Sequence, residues 1–121
     1  MTQKLPGLHL MADLYECACA PDLMLHGPSL RETCIRFVRQ AGLTVVGDHF
    51  HGFTGGGVTG AIVLSESHMA IHTWPEHRYV TLDVYVCNYS ENNRDKARSL
   101  FERLIDLFAP RAPRRFALDR V

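Results

Sequence analysis

The chain has 121 residues, 46% hydrophobic and 21% charged, which predicts one soluble globular domain and excludes disordered and fibrous classes. Thirteen basic residues against thirteen acidic ones give a formal net charge of zero. No excess of positive charge exists to drive nucleic-acid or acidic-lipid binding.

No apolar run reaches the roughly 18 residues of a membrane span, and Pro6 and Gly7 break the N-terminal stretch where a signal peptide would carry its apolar core. The expectation is a cytoplasmic protein with reduced thiols at Cys17, Cys19, Cys34 and Cys87.

Leu8–Glu16 sets Leu8, Leu10, Ala12 and Leu14 on one parity and His9, Asp13 and Tyr15 on or near the other, a half-buried strand. A loop with Pro21, Gly27 and Pro28 follows. Ser29 with Glu32 three residues on reads as a capping box. From there Leu30, Cys34, Phe37, Val38 and Ala41 recur at helical spacing until Gly42. Leu43–Phe53 reads as a strand, and Gly55-Gly56-Gly57 as a break. Val58–Ser65 and His68–Thr73 are further strands, closed by Trp74-Pro75. In Tyr79–Cys87, Val80, Leu82, Val84 and Val86 alternate with Tyr79, Thr81, Asp83, Tyr85 and Cys87. A second helix spans about Asn92 to Phe108, stopped by Pro110, and Arg114–Val121 makes a final edge strand.

The order β-α-β-β-β-β-α-β, read as duplicated strand–helix–strand units, predicts an α+β two-layer sandwich. Its mainly antiparallel sheet carries two helices on one face. The other face of Tyr79–Cys87 holds aromatics, a carboxylate and a thiol, too mixed for plain solvent. Either a second sheet covers it or a site lies there.

Two Ser, two His, two Glu and the single Trp fall between Leu64 and Glu76. His68 and His72 are four apart, but on a strand that spacing is roughly 13 Å, too far for one ion. Cys17 and Cys19 are one residue apart and form no paired zinc motif, so no metal is expected. No G-x-S-x-G elbow surrounds Ser65 or Ser67, which argues against a serine hydrolase.

The run Ser65-Glu66-Ser67-His68-Met69-Ala70-Ile71-His72-Thr73-Trp74-Pro75-Glu76, followed by Asp83-Val84-Tyr85-Val86-Cys87, resembles the short prokaryotic, pyruvoyl-dependent S-adenosylmethionine decarboxylase proenzymes. His9 with Ala12-Asp13, His51-x-Phe53, and Gly57-Val58-Thr59-Gly60 extend the likeness over most of the chain.

That resemblance implies self-cleavage at Glu66–Ser67. The Ser67 hydroxyl attacks the Glu66 carbonyl, His72 removes the Ser67 α-proton, and Thr59, where the family often has Ser, supports the acyl shift. Two chains result, 1–66 and 67–121, the second opening on a covalent pyruvoyl group. This group would form a Schiff base with the substrate amine and act as an electron sink, with no bound coenzyme. Cys87 matches the family's proton donor, and an ordinary thiol pKa of about 8.5 suits an acid near neutrality. Without the motif, Cys87 reads as a small buried hydrophobe. Glu76 matches a residue that binds ribose hydroxyls, and Phe53 an aromatic that stacks on adenine across a dimer interface. His68 and Asp13 receive no role.

The implied assembly is a homodimer of cleaved protomers with α-β-β-α layers. The implied product is decarboxylated S-adenosylmethionine for spermidine synthesis. Alternatives are the same machinery acting on ornithine or arginine, giving putrescine or agmatine, and an uncleaved binding relative. The neighbours of Phe53, the His77-Arg78 pair and Asn88 depart from the usual family pattern near the substrate. One geometric demand stands out. Ser67 and His72 have opposite parity, so a bulge or turn before His72, or a distorted backbone at the scissile bond, is needed to bring them to one face.

Overall fold

The computed structural model describes residues 6–88 and 91–120. Their elements are β1 (Gly7–Cys17), α1 (Asp22–Leu25), α2 (Gly27–Gln40), β2 (Val45–Gly52), β3 (Val58–Leu64), β4 (Ser67–Trp74), a 3-10 turn (Pro75–His77), β5 (Tyr79–Cys87), α3 (Arg94–Phe108) and β6 (Pro110–Arg120). The six strands form one sheet in the order β2-β3-β4-β5-β1-β6, and every pairing is antiparallel. This is the expected α+β two-layer architecture, with α2 over β2 and β3 and α3 over β1 and β5.

Strict alternation along the strands builds the core. Leu8, Leu10, Ala12 and Leu14 of β1, Met69 and Ile71 of β4, and Val80, Leu82, Val84 and Val86 of β5 are all buried beneath the helices. From α2 come Leu30, Cys34 and Val38, and from α3 Leu100, Leu104 and Phe108. Each large apolar side chain so buried contributes about 1.5–3 kcal/mol against leaving it in water.

The helix boundaries show which local signals dominate. α2 starts at Gly27, two residues before the expected capping box. Pro28 pre-sets the backbone of the first turn, and His26 rather than Ser29 caps it: His26 Nδ1 accepts the Ser29 backbone N–H at 3.3 Å. At its far end Gly42, with φ of 89°, closes a Schellman motif. The Leu43 N–H donates to the Val38 carbonyl at 3.2 Å and the Gly42 N–H to that of Arg39 at 3.0 Å. Ala109, in the left-handed region at φ 46°, ends α3. The short α1 lies in the segment expected to be loop.

β6 begins at Pro110, four residues before the expected Arg114; its expected end, Val121, lies outside the described residues. Pro110 and Pro113 are tolerated because β6 is an edge strand, paired only to β1.

One close approach fixes the β2–β3 pair. Gly60 lies opposite Phe50, whose ring occupies the space a Cβ would need. Gly60→Ala is expected to displace that ring and lower stability by about 1–3 kcal/mol. Denaturant unfolding of Gly60→Ala, Phe50→Ala and the double variant should give a double-variant cost smaller than the sum. A neutral Gly60→Ala, or strict additivity, would contradict this packing.

Candidate active site

Leu64 pairs directly with Ser67, so Ser65 and Glu66 form a two-residue hairpin turn between β3 and β4. Neither turn residue has positive φ, so this is not one of the primed turns whose twist matches that of the strands. The Ser65 N–H donates to the Thr44 carbonyl at 3.2 Å. From Leu64↔Ser67 to Thr59↔His72 the β3–β4 register runs without a shift. The bulge or turn expected before His72 is therefore absent.

Ser67 keeps the parity of Met69 and Ile71, toward the helix layer. It lines a small depression at the end of the sheet with Leu43, Thr44 and Asn93. His72 sits on the open face, about 17 Å further along the strand. Within one chain the fold does not bring Ser67 and His72 together.

His72 instead pairs with Thr59, its cross-strand neighbour, at 3.1 Å between Nδ1 and Oγ1. The contact orients the imidazole and fixes what its Nδ1 meets. An aromatic row continues from there across the open face: His72–Trp74 at 5.9 Å, Trp74–Tyr79 at 5.3 Å and Tyr79–Tyr15 stacked at 4.9 Å. Burial, then a hydrogen bond to Tyr15 and the Asp13 charge, push the Tyr79 hydroxyl up to about 12, so it stays protonated at neutral pH.

Cys87 ends β5, half-buried, on the open-face parity. His68 lies opposite Tyr85, so this register carries the Glu66–Ser67 bond alongside the Cys87 end of β5. Buried Asn93 ties the same end together, donating through Nδ2 to the Cys87 carbonyl at 3.0 Å. Ser67 and Cys87 thus share one end of the sheet.

Phe53 and Glu76 share the other end. Phe53 follows β2, is 53% exposed, and meets His51 edge-on at 4.7 Å. Its loop is closed by a Phe53 N–H to Gly57 carbonyl bond of 2.9 Å and lies against Pro75. Glu76, on the exposed 3-10 turn after β4, lines a cavity of about 350 Å³ with Arg78 and Arg111. β4 alone spans about 23 Å from Ser67 to Trp74, so Ser67 and Glu76 of one chain lie farther apart than the length of a nucleoside-sized amino acid.

A further group has no role in the sequence reading. His9 Nε2 lies 2.8 Å from Asp83 Oδ2, and His68 Nε2 lies 3.1 Å from the same oxygen. Their shared open-face parity was visible in the sequence. The adjacency of β1, β5 and β4 that joins them was not.

The chain matches known proteins over most of its length. Residues 8–121 match the family described as S-adenosylmethionine decarboxylase. The chain is 39% identical over 109 residues to the S-adenosylmethionine decarboxylase proenzyme of Persephonella marina, covering 90% of this chain and 77% of that one. To the proenzyme of the same name from Archaeoglobus fulgidus it is 34% identical over 114 residues, 94% of this chain and 96% of the relative. The crystal structure of the adenosylmethionine decarboxylase from Aquifex aeolicus superposes with a TM-score of 0.85 at 33% identity, over 98% of this chain and 92% of that one. The fold is that of the adenosylmethionine decarboxylase structure, matched over nearly the whole chain. The chain belongs to the S-adenosylmethionine decarboxylase family.

The four free thiols differ in environment. Burial pushes Cys34 up to about 12, and burial together with the charge of Cys19 pushes Cys17 up to about 11. Since the thiolate is the nucleophile, a raised pKa keeps both inert until pH climbs toward those values. Iodoacetamide at pH 8 is expected to modify half-buried Cys87 while leaving Cys17 and Cys34 intact, as read by peptide mass. Cys34 labelling as fast as Cys87 would contradict the buried placement.

Proposed function

We propose that the chain is a pyruvoyl-dependent S-adenosylmethionine decarboxylase, produced as a proenzyme that cleaves itself between Glu66 and Ser67. The observation that carries this reading is the interleaving of the two halves. Residues 1–66 contain β1, β2 and β3, and 67–121 contain β4, β5 and β6. β1 lies between β5 and β6, and β3 pairs with β4. Cutting the hairpin turn leaves every strand pairing available, so a new chain end can form at residue 67 without unfolding.

In this reading the Ser67 hydroxyl attacks the Glu66 carbonyl and converts the amide to an ester. Imidazole His72, held by Thr59, takes the α-proton of residue 67. The ester then eliminates, releasing the Glu66 carboxylate. Hydrolysis of the resulting dehydroalanine frees ammonia and leaves the pyruvoyl group. That group supplies an electron sink for decarboxylation. Cys87, at the same end of the sheet, returns a proton to the substrate α-carbon. Phe53 provides a face for adenine, and the Glu76 carboxylate an acceptor for ribose hydroxyls.

The separation of these groups within one chain gives the dimer a chemical task. We infer a two-fold homodimer with open faces packed together, each site taking Cys87 and residue 67 from one protomer and Thr59, His72, Phe53 and Glu76 from the other. Ser67 starts on the helix-side parity, so the backbone at the scissile bond must turn it toward the open face for the acyl shift. Turning a second copy end for end over the sheet superposes opposite ends, as an isologous interface requires. Exposed Val63, Trp74, Phe116 and Leu118 supply apolar surface for that contact.

Mixing tests this division. Ser67→Ala and His72→Ala chains are each expected to stay uncut alone. When refolded together, the His72→Ala chain should be cut, because its partner supplies His72. No cleavage in demonstrated mixed dimers would place both groups in one chain. With the cleaved parent protein and S-adenosylmethionine, ornithine or arginine as sole substrate, carbon dioxide release is expected from S-adenosylmethionine, and a Cys87→Ala chain should lose at least about 100-fold in that turnover. Release from ornithine or arginine instead would overturn the substrate assignment.

A further inference from the structure

We propose that His9, His68 and Asp83 form a binding site for one divalent transition-metal cation on the open face of the sheet. The three come from adjacent strands β1, β4 and β5. His9 and His68 both lie opposite Tyr85, so they flank β5 in a single cross-strand row. Asp83 stands two residues away on the same face and meets both imidazoles. His9 Nε2 and His68 Nε2 are 2.8 and 3.1 Å from Asp83 Oδ2, and the three atoms all lie within 4.8 Å of one another.

Bonds of about 2.0–2.1 Å at right angles put neighbouring ligand atoms about 3 Å apart. Both nitrogen–oxygen separations already match that edge. The rings are also held: His9 and His68 pack on Tyr85 at 5.6 and 5.7 Å and on each other at 6.0 Å.

Asp83 is half-buried, and among the described residues it has no arginine or lysine partner; both of its ion-pair contacts are imidazole nitrogens. Two imidazoles and one carboxylate favour zinc, cobalt or nickel over magnesium or calcium, and leave coordination positions for water. His68 and His72, four apart on β4, lie too far apart to share an ion. The fold instead gives His68 a partner from β1. Because His68 directly follows Ser67, a cation here would tie the residue beside the hairpin turn to β1 and β5. The inference does not depend on the decarboxylase reading.

Chelator-stripped full-length protein should be titrated with zinc chloride by calorimetry and with cobalt chloride by visible absorption. The expected result is one ion per chain, cobalt bands of a nitrogen–oxygen site, and no binding of magnesium chloride. Asp83→Asn, which keeps the shape and an acceptor, and His9→Gln should each weaken zinc binding at least tenfold, while His77→Ala leaves it unchanged. Thermal melts verify that the variants fold. Failure of the parent protein to bind either ion overturns the proposal, whatever the variants do. So does undiminished zinc affinity in folded Asp83→Asn and His9→Gln chains.

Discussion

The placement of β1 between β5 and β6 is the constraint on which the rest of the molecule depends. It means that the first strand of the chain is hydrogen-bonded on both sides by strands from the other half. The β3–β4 ladder adds a second seam, six residue pairs long from Thr59↔His72 to Leu64↔Ser67. α3 from the second half packs over β1 of the first, closing Leu8, Leu10 and Leu14 under Leu100, Leu104 and Phe108. Covalent continuity at the Ser65–Glu66 turn is therefore not what holds the halves together. The proposed self-cleavage requires such an arrangement, since the halves must stay folded once the backbone is severed.

The two faces of the sheet divide the labour. One parity goes mainly to aliphatic packing under the helices, with Ser67 at its end in a small depression. The other parity carries His9, Asp83, His68, Thr59, His72 and the Tyr15–Tyr79–Trp74 row in positions set by a regular ladder, which is a stiff way to hold polar side chains. Stiffness has a consequence. Groups at opposite ends of a strand stay apart, and among the described residues no loop folds back to join them. In the proposed reading Ser67 with Cys87 and His72 with Thr59 are two half-sites, and a two-fold dimer would join halves that one chain keeps separate.

Much of this was legible in the residues. Alternation located β1 and β5, whose inner faces are buried, and a shift of one residue would expose every leucine of β1. The two long helices followed from their apolar stripes. Boundaries were less legible where two local signals compete: Ser29 and Glu32 form a plausible cap, yet Pro28 and His26 start α2 earlier. β6 was read short because Pro110, Arg111 and Pro113 resemble loop sequence, although an edge strand accommodates them. The parity conflict between Ser67 and His72 was visible in the chain. Of the two resolutions the chain offered, a bulge or turn before His72 is excluded by the continuous ladder, which leaves a distorted backbone at the scissile bond. The His9–Asp83–His68 group needed the order of strands, which depends on long-range packing and not on local pattern.

The most direct test of the central claim is the denatured intact mass of freshly purified protein, taken with and without a carbonyl-trapping reagent. The account predicts two chains, 1–66 ending in an ordinary Glu66 carboxylate and 67–121 beginning with a ketone in place of the serine amine. Only the second should gain mass with the reagent. A single uncut chain after prolonged incubation, or a cut chain that keeps an ordinary serine at residue 67, would contradict it.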